Sequence, residues 1–445
     1  PNRALSSAWE QPDQKSVVLK LRQGISFHDG TPFNAQAVKY NLDRILDPKN
    51  QAQPRTTIQE IDVVETPDPY QVVLKLSQPS SPLLANLGDR PGMMISPAAL
   101  EKLGKDDYRY KPSGTGPFAL KEYIVDAYAT YERNPNYWWK DEQGNKFPYL
   151  KTMRMDVIPE DTVRVAALES GTIDILGSNV GTPETDVKRL NADGRFQYAK
   201  FVGNRIAVFF MNHASPPMDN LWFRRAVASS MDRASFIKNF GNGEEQLPKG
   251  HLSPASWAHE PSIEYYPFDI AKAKEYLQRS GLPPDKWRIK GVGNSAVKTQ
   301  EQEFWEASAR QAGIQVDWIP DKDGVTKFLY NRTGDGFGHI YFTGSTHQAD
   351  PDLTISQYYR EKGAFNSSYK PMPDIEPQVA KAKESYDLNE RKKLYSEIQK
   401  IAADQVYSVI LLNYGVRFNH ASKKVGNLER LLGGESKEHF MYLWT

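Results

Sequence analysis

The sequence predicts an α/β protein of two large lobes, with mixed sheets flanked by helices. Three observations carry this expectation. At 445 residues the chain exceeds what one simple core supports, and length alone suggests about two to three domains. Its second half alternates short apolar runs at 287–292, 314–318 and 338–342 with a helical stripe at 299–312, joined by polar links, as repeated α/β units do. No stretch approaches the roughly 20 apolar residues of a membrane span, so these runs are strands and helices of a packed core.

Composition then removes several classes of function. There are 56 basic residues against 55 acidic ones, and a net charge of +1 argues against a protein that neutralises many phosphates, so no nucleic-acid partner is expected. With no cysteine there are no disulfides, no thiol chemistry and no cysteine-ligated zinc. The chain starts without a signal peptide and reads as already processed.

Taken in order, residues 17–21 alternate as a half-buried strand, and Asp29-Gly30-Thr31-Pro32 makes a turn. Asn34 is placed to cap a helix striped by Ala35, Val38, Leu42 and Ile45. His28 beside Asp29 suggests a metal or acid/base pair, but no second ligand stands at metal spacing, and a turn whose side chains bond its own backbone is preferred. The run KPSGTGPF at 111–118 is a tight glycine-proline loop without the lysine and hydroxyl of a phosphate-binding loop. Tyr137, Trp138 and Trp139 suit packing better than a sugar-stacking platform.

A helix is expected at 162–170, then an apolar run at 205–212 and a helix capped by Asp219 that buries Phe223, Ala226, Val227 and Met231. Arg225 is expected in an internal ion pair or a cap contact, and Trp305 in the core. Helices at 374–386 and 388–403 precede a buried strand at 409–414.

The run LRQGISFHDGTPFNAQAV at 21–38 resembles the signature of the family 5 extracytoplasmic solute-binding proteins, the peptide and nickel class that serves ABC importers. GTGPF at 114–118, RNPNYW at 133–138, GTID at 171–174 and DNLWFRRAVASSMDR at 219–233 resemble further elements of that family. The resemblance implies the large type of periplasmic-binding-protein fold, with an extra subdomain and two hinge crossings. It divides the chain into a smaller subdomain at 1–112, main lobe one at 113–207, lobe two at 208–412 and a return to lobe one at 413–445. ALSSAWE at 4–10 resembles a family segment that normally follows several dozen residues, so an N-terminal portion of the lobe is expected to be missing.

The same resemblance implies a carrier that captures a polar organic solute between two closing lobes. Its expected partners are a small-molecule ligand and the membrane subunits of an ABC importer, with the chain a monomer, no cofactor, and a periplasmic or membrane-tethered lipoprotein location. A sensor for a signalling partner is the alternative; a nickel-complex binder or a hydrolase is less favoured. Peptide-binding relatives often carry glycine-tryptophan, two small residues and an ammonium-pairing aspartate in the loop after the strand at 338–342. Here the run is Tyr341-Phe342-Thr343-Gly344-Ser345, with serine in the place of the anchor. The expected ligand is thus a peptide, a modified peptide, an opine-like conjugate or a short oligosaccharide rather than a standard dipeptide. Arg205, Asn212 and Tyr414 beside the crossings, and Arg90 and Met93 on the lobe-one side, complete the candidate ligand-binding set. Asp350-Pro351-Asp352 matches a family element with a loop-shaping role.

Catalysis needs a constellation the chain lacks. Its eight histidines form no HExxH motif, and neither Ser113 nor Ser345 sits in a GxSxG elbow, so no catalytic residue is assigned. His339 and His347 flank the strand at 338–342, where a transition metal is a possible reading, but a polar lining or surface role is preferred and no metal ligand is assigned.

Overall fold

A computed structural model describes residues 5–176, 182–240, 245–247, 249–293, 298–321, 324, 327–328, 338–346, 350–361, 363, 366, 370–430 and 439–443. The chain divides into two compact units, Pro1–Phe201 with Arg417–Thr445, and Val202–Val416. It therefore passes between them twice.

In the first unit β1 (Ser6–Asp13) and β2 (Ser16–Leu21) precede α1 (Ala35–Leu46), then β3 (Ile61–Asp68), β4 (Gln71–Leu76), α2 (Leu83–Asn86) and α3 (Pro97–Tyr108), which breaks at Gly104. The strands form an antiparallel sheet in the order β1-β2-β4-β3. Asn34 accepts from the Ala37 N–H and caps α1, and the stripe Ala35, Val38, Leu42 and Ile45 is buried against Val72 and Leu74 of the sheet. Helical spacing in the sequence is enough to place this face.

The HDG turn and the glycine loop, far apart in sequence, are one clasp. The His28 N–H donates to the Gly114 carbonyl at 2.8 Å, His28 Nδ1 accepts from the Gly114 N–H at 3.3 Å, and His28 Nε2 lies 3.0 Å from the Gly116 carbonyl. The Ser113 hydroxyl accepts from the Asp29 N–H at 3.1 Å, and Ser96 donates to Asp29 Oδ2 at 2.6 Å. Burial pushes the Asp29 pKa up, but hydrogen bonds from Ser96, Thr31 and Ser113 outweigh it and hold the carboxyl below its ordinary value. Asp29 accepts from the Thr31 N–H of its own turn, as expected, whereas the His28 ring bonds the backbone of the distant glycine loop instead of its own.

β5 (Phe118–Ile124), β6 (Tyr128–Arg133) and β7 (Thr152–Asp156) make a second antiparallel sheet. Beside it Trp138 stacks on Trp139 at 5.8 Å, and Trp139 meets Phe147 and Tyr442 edge-on. These aromatics pack, as expected. α4 (Asp161–Glu169) and α5 (Glu184–Ala192) share a small core of Val165, Leu168, Leu176 and Leu190.

β8 (Phe196–Met211) carries the chain into the second unit, followed by α6 (Leu221–Ser229), α7 (Arg233–Phe240), α8 (Ile270–Arg279), β9 (Arg288–Val292), α9 (Gln300–Ala312), β10 (Gln315–Ile319), β11 (Ile340–Thr346), α10 (Pro351–Tyr359), α11 (Glu376–Glu384), α12 (Leu388–Asp404) and β12 (Ser408–Ser422). The five strands form one sheet in the order β10-β9-β11-β8-β12. β9 pairs parallel with β10 and β11, and β11 antiparallel with β8, so the sheet is mixed. One face of β8 (Ala207, Phe209, Met211) packs with Phe223, Ala226, Val227, Met231 and Trp305. The other (Ile206, Val208, Phe210) packs with Val292, Tyr341 and Ile410.

One local expectation changes and one is met. Asn220, not Asp219, caps α6, accepting from the Phe223 N–H at 3.1 Å while its Nδ2 donates to the Ser280 carbonyl at 2.9 Å. The amide does both jobs, whereas a carboxylate has no hydrogen to donate. Arg225 makes a cap contact: its Nη2 donates to the carbonyl of Asp404, the last residue of α12. The neighbouring Arg224, which is buried, donates to Gln405 at the same helix end. Two cations thus meet the negative end of the α12 dipole.

Candidate ligand-binding site

β11 is the element on which the candidate residues converge. Its register against β8 runs from Ile340 opposite Met211 to Thr346 opposite Arg205, with Thr343 opposite Val208, Gly344 opposite Ala207 and Ser345 opposite Ile206. The sequence places a loop after Phe342; instead the strand continues through Thr346. Seven residues of pairing with β8 supply hydrogen bonds to the backbone, and this tertiary context overrides the turn preference of Gly344.

Phe342 is half-buried and tilts against Phe209 at 5.5 Å, joining the larger core. Because successive strand residues alternate in face, positions 342 and 345 belong to opposite sides of the sheet. The side chains of Arg205, Thr343, Ser345 and Tyr414 lie outside the described residues, and so does the whole of His347. Their backbone places are clear for all but His347. Arg205 is three residues into the second unit, registered with Thr346, and Tyr414 lies two residues before that unit ends, on the strand next to β8.

Asn212 is not part of this group. It follows the far end of β8 and is 4% exposed, with Nδ2 donating to the Gly338 carbonyl at 3.3 Å and Oδ1 accepting from the Ala214 N–H at 3.0 Å. Seven strand positions, about 23 Å, separate it from Arg205. Its amide shapes the chain reversal after β8.

The start of β11 is held by His339, whose Nδ1 accepts from the Lys290 N–H at 2.9 Å while its own N–H donates to the Lys290 carbonyl at 2.8 Å. Burial, with Lys290 adding to it, pulls the imidazole pKa down to about 4, so the ring is neutral at pH 7. Among the described residues no group of three or more His, Asp or Glu side chains is placed to hold a metal ion.

Beyond the other end of β11, Asp350 caps α10 and takes a two-pronged contact from Arg391, at 3.0 and 2.7 Å. Arg391 also donates to the Ala382 carbonyl at 3.1 Å and to the Tyr395 hydroxyl at 2.9 Å. Asp352, fully buried, accepts from Ser356 at 2.7 Å and lies 4.0 Å from Lys383 Nζ. Sequence reading leaves Lys383 and Arg391 unnoticed because both sit in lysine- and glutamate-rich helices that read as solvated.

In the first unit, Arg90 and Met93 flank one short turn and both are exposed. Gly92 is required there: a Cβ would come within 1.9 Å of the Leu87 carbonyl oxygen.

Comparison with known proteins decides the class. The description "Bacterial extracellular solute-binding proteins, family 5 Middle" matches residues 1–367. The chain belongs to this family. It is 27% identical over 397 residues to the glutathione-binding protein GsiB of Salmonella typhi, covering 87% of this chain and 76% of that one. It is 26% identical over 434 residues to the probable D,D-dipeptide-binding periplasmic protein DdpA of Escherichia coli, covering 94% and 81%. The ABC transporter-associated periplasmic binding protein DppA of Helicobacter pylori, solved with the peptide STSA, superposes with a TM-score of 0.88 at 25% identity, covering 99% of this chain and 88% of that one. Members of this family are extracytoplasmic transport components that bind small ligands for ABC membrane subunits, and the two-lobed α/β fold is theirs. This chain is such a substrate-binding component. Among the described residues no helix is long and apolar enough to cross a membrane.

Proposed function

We propose that the chain captures a short, net-anionic modified peptide of the glutathione kind and delivers it unchanged to an ABC importer. The carrying observation is Ser345, in the place where peptide-binding relatives often carry an aspartate for the ligand's ammonium. A charge-assisted hydrogen bond contributes about 1.5–3 kcal/mol, so its absence weakens recognition of an ordinary dipeptide amine by roughly ten- to a hundredfold. Glutathione carries two carboxylates, and its ammonium sits on a γ-linked residue, away from its position in an α-linked dipeptide. Arg205, Thr343, Gly344, Ser345 and Tyr414 form the proposed contact set in the second unit, with Phe342 as core support behind them, and Arg90 with Met93 in the first. The names of the GsiB and DdpA relatives support a short peptide that departs from the ordinary dipeptide.

Titration calorimetry with reduced glutathione and with Ala-Leu tests this. Glutathione is expected to bind at least about tenfold more tightly, and Ser345→Asp to move the preference back toward Ala-Leu by roughly ten- to a hundredfold. Tighter binding of Ala-Leu by the unaltered protein would falsify the reading. Prolonged incubation returns the bound peptide intact, since no catalytic constellation is assigned. The protein acts as a monomer, periplasmic or lipid-tethered, and sedimentation of the purified chain checks the former.

A further inference from the structure

We propose that the buried ionic network of Asp350, Asp352, Lys383 and Arg391 is a positioning device that fixes the end of β11, rather than a source of stability. This rests on the reading of β11 as ligand-contacting. The network begins at Asp350, four residues beyond Thr346 in the chain, so the end of β11 and Asp350 stand within about 14 Å of each other.

Its construction is that of a locator. Asp350 is fixed from both sides, by the two-pronged Arg391 contact and by the Asp352 N–H at 2.9 Å. Arg391 is in turn fixed by the Ala382 carbonyl and the Tyr395 hydroxyl, with the Trp257 ring 5.2 Å from its guanidinium carbon. Lys383 and Asp352 are 1% and 0% exposed, so α10, α11 and α12 are joined through charges that have left water. Two acids and two bases balance, and both acids lie at the start of α10, where the helix dipole favours them.

Stability alone does not account for such an arrangement. Taking charges out of water offsets most of their attraction, and apolar side chains of similar volume often do as well or better. What the pairs add is direction: a bidentate guanidinium–carboxylate contact tolerates one geometry, and an apolar contact tolerates several. His339 and Lys290 hold the start of β11 and the ladder to β8 sets its register, and in this proposal the network fixes where the chain leaves its other end.

The test is the double variant Asp350→Asn with Arg391→Met, which keeps a capping side chain and removes both charges, set beside Arg391→Lys, which keeps the charge and loses the fork. Hydrogen exchange over residues 340–346 is read together with glutathione affinity and the thermal midpoint. The double variant is expected to exchange these amides at least about tenfold faster and to bind glutathione at least about tenfold more weakly. Its midpoint should stay within about 4 °C of the unaltered protein. Arg391→Lys should fall between the two. Unchanged exchange in the double variant overturns the proposal, and so does a collapse of the midpoint with protection lost evenly across the second unit. Should the unaltered protein bind no glutathione, the ligand reading fails while the exchange measurement still decides the role of the network.

Discussion

Arg233 holds its charge without a carboxylate at hydrogen-bond distance among the described residues. Arg233 is 4% exposed, and its guanidinium donors go to the carbonyls of Ile410, Tyr266 and Ala228. Burial pulls its pKa down to about 10, leaving it charged at neutral pH. Replacing it with Met removes the donors of two buried carbonyls and one partly buried one, and urea unfolding should show a loss of about 3 kcal/mol. The histidines behave oppositely. Burial lowers the pKa of His213, with Arg224 adding to it, and lowers those of His339 and His420 to about 4. Each binds its proton more readily unfolded, near pH 6.5, than folded. The contributions of His339 and His420 are complete above about pH 6.5 and lost as pH falls toward about 4, and that of His213 is lost in the same direction. Urea midpoints should therefore drop between pH 7 and pH 5, and His339→Gln should flatten that slope. None of this was legible in the sequence, where an arginine in a helix reads as surface and a histidine's partner is unknown.

Elements were far more legible than the contacts that fix them. The stripes of α1 and α6 lie at helical spacing and bury as expected, because periodicity alone selects the apolar face. Caps depend on one atom's reach, and there the reading of α6 slipped by a residue. Asn220→Ala should cost about 1 kcal/mol or more in chemical denaturation, since it loses both the cap and the bond to Ser280, whereas Asp219→Ala should stay within about 0.5 kcal/mol. β11 shows the same limit. Its pairing with β8 joins residues more than a hundred positions apart, which no local turn preference reports. The candidate site inherits this: a family pattern located Ser345, but its register against Ile206 and the remoteness of Asn212 emerge only from the sheet.

Each unit of the molecule has its own core, around Leu42 and Leu74 in one and Phe209 and Trp305 in the other. Calorimetry is accordingly expected to depart from a single two-state transition. A peptide supplied at a hundred times its Kd should add about 2.7 kcal/mol to the stability of whatever it binds, visible as a raised midpoint. Family motifs revealed the class because they are spread along most of the chain, while the ligand depends on a handful of positions. The clasp of His28 and Asp29 on residues 113–116 bears on dissecting the protein into pieces. A fragment ended at residue 112 would expose the ring nitrogens of His28 and the N–H groups of Asp29 and Ser96 that the glycine loop now satisfies. A cut that keeps these bonds therefore has to fall beyond Gly116, after the stretch that the His28–Asp29 motif holds in place.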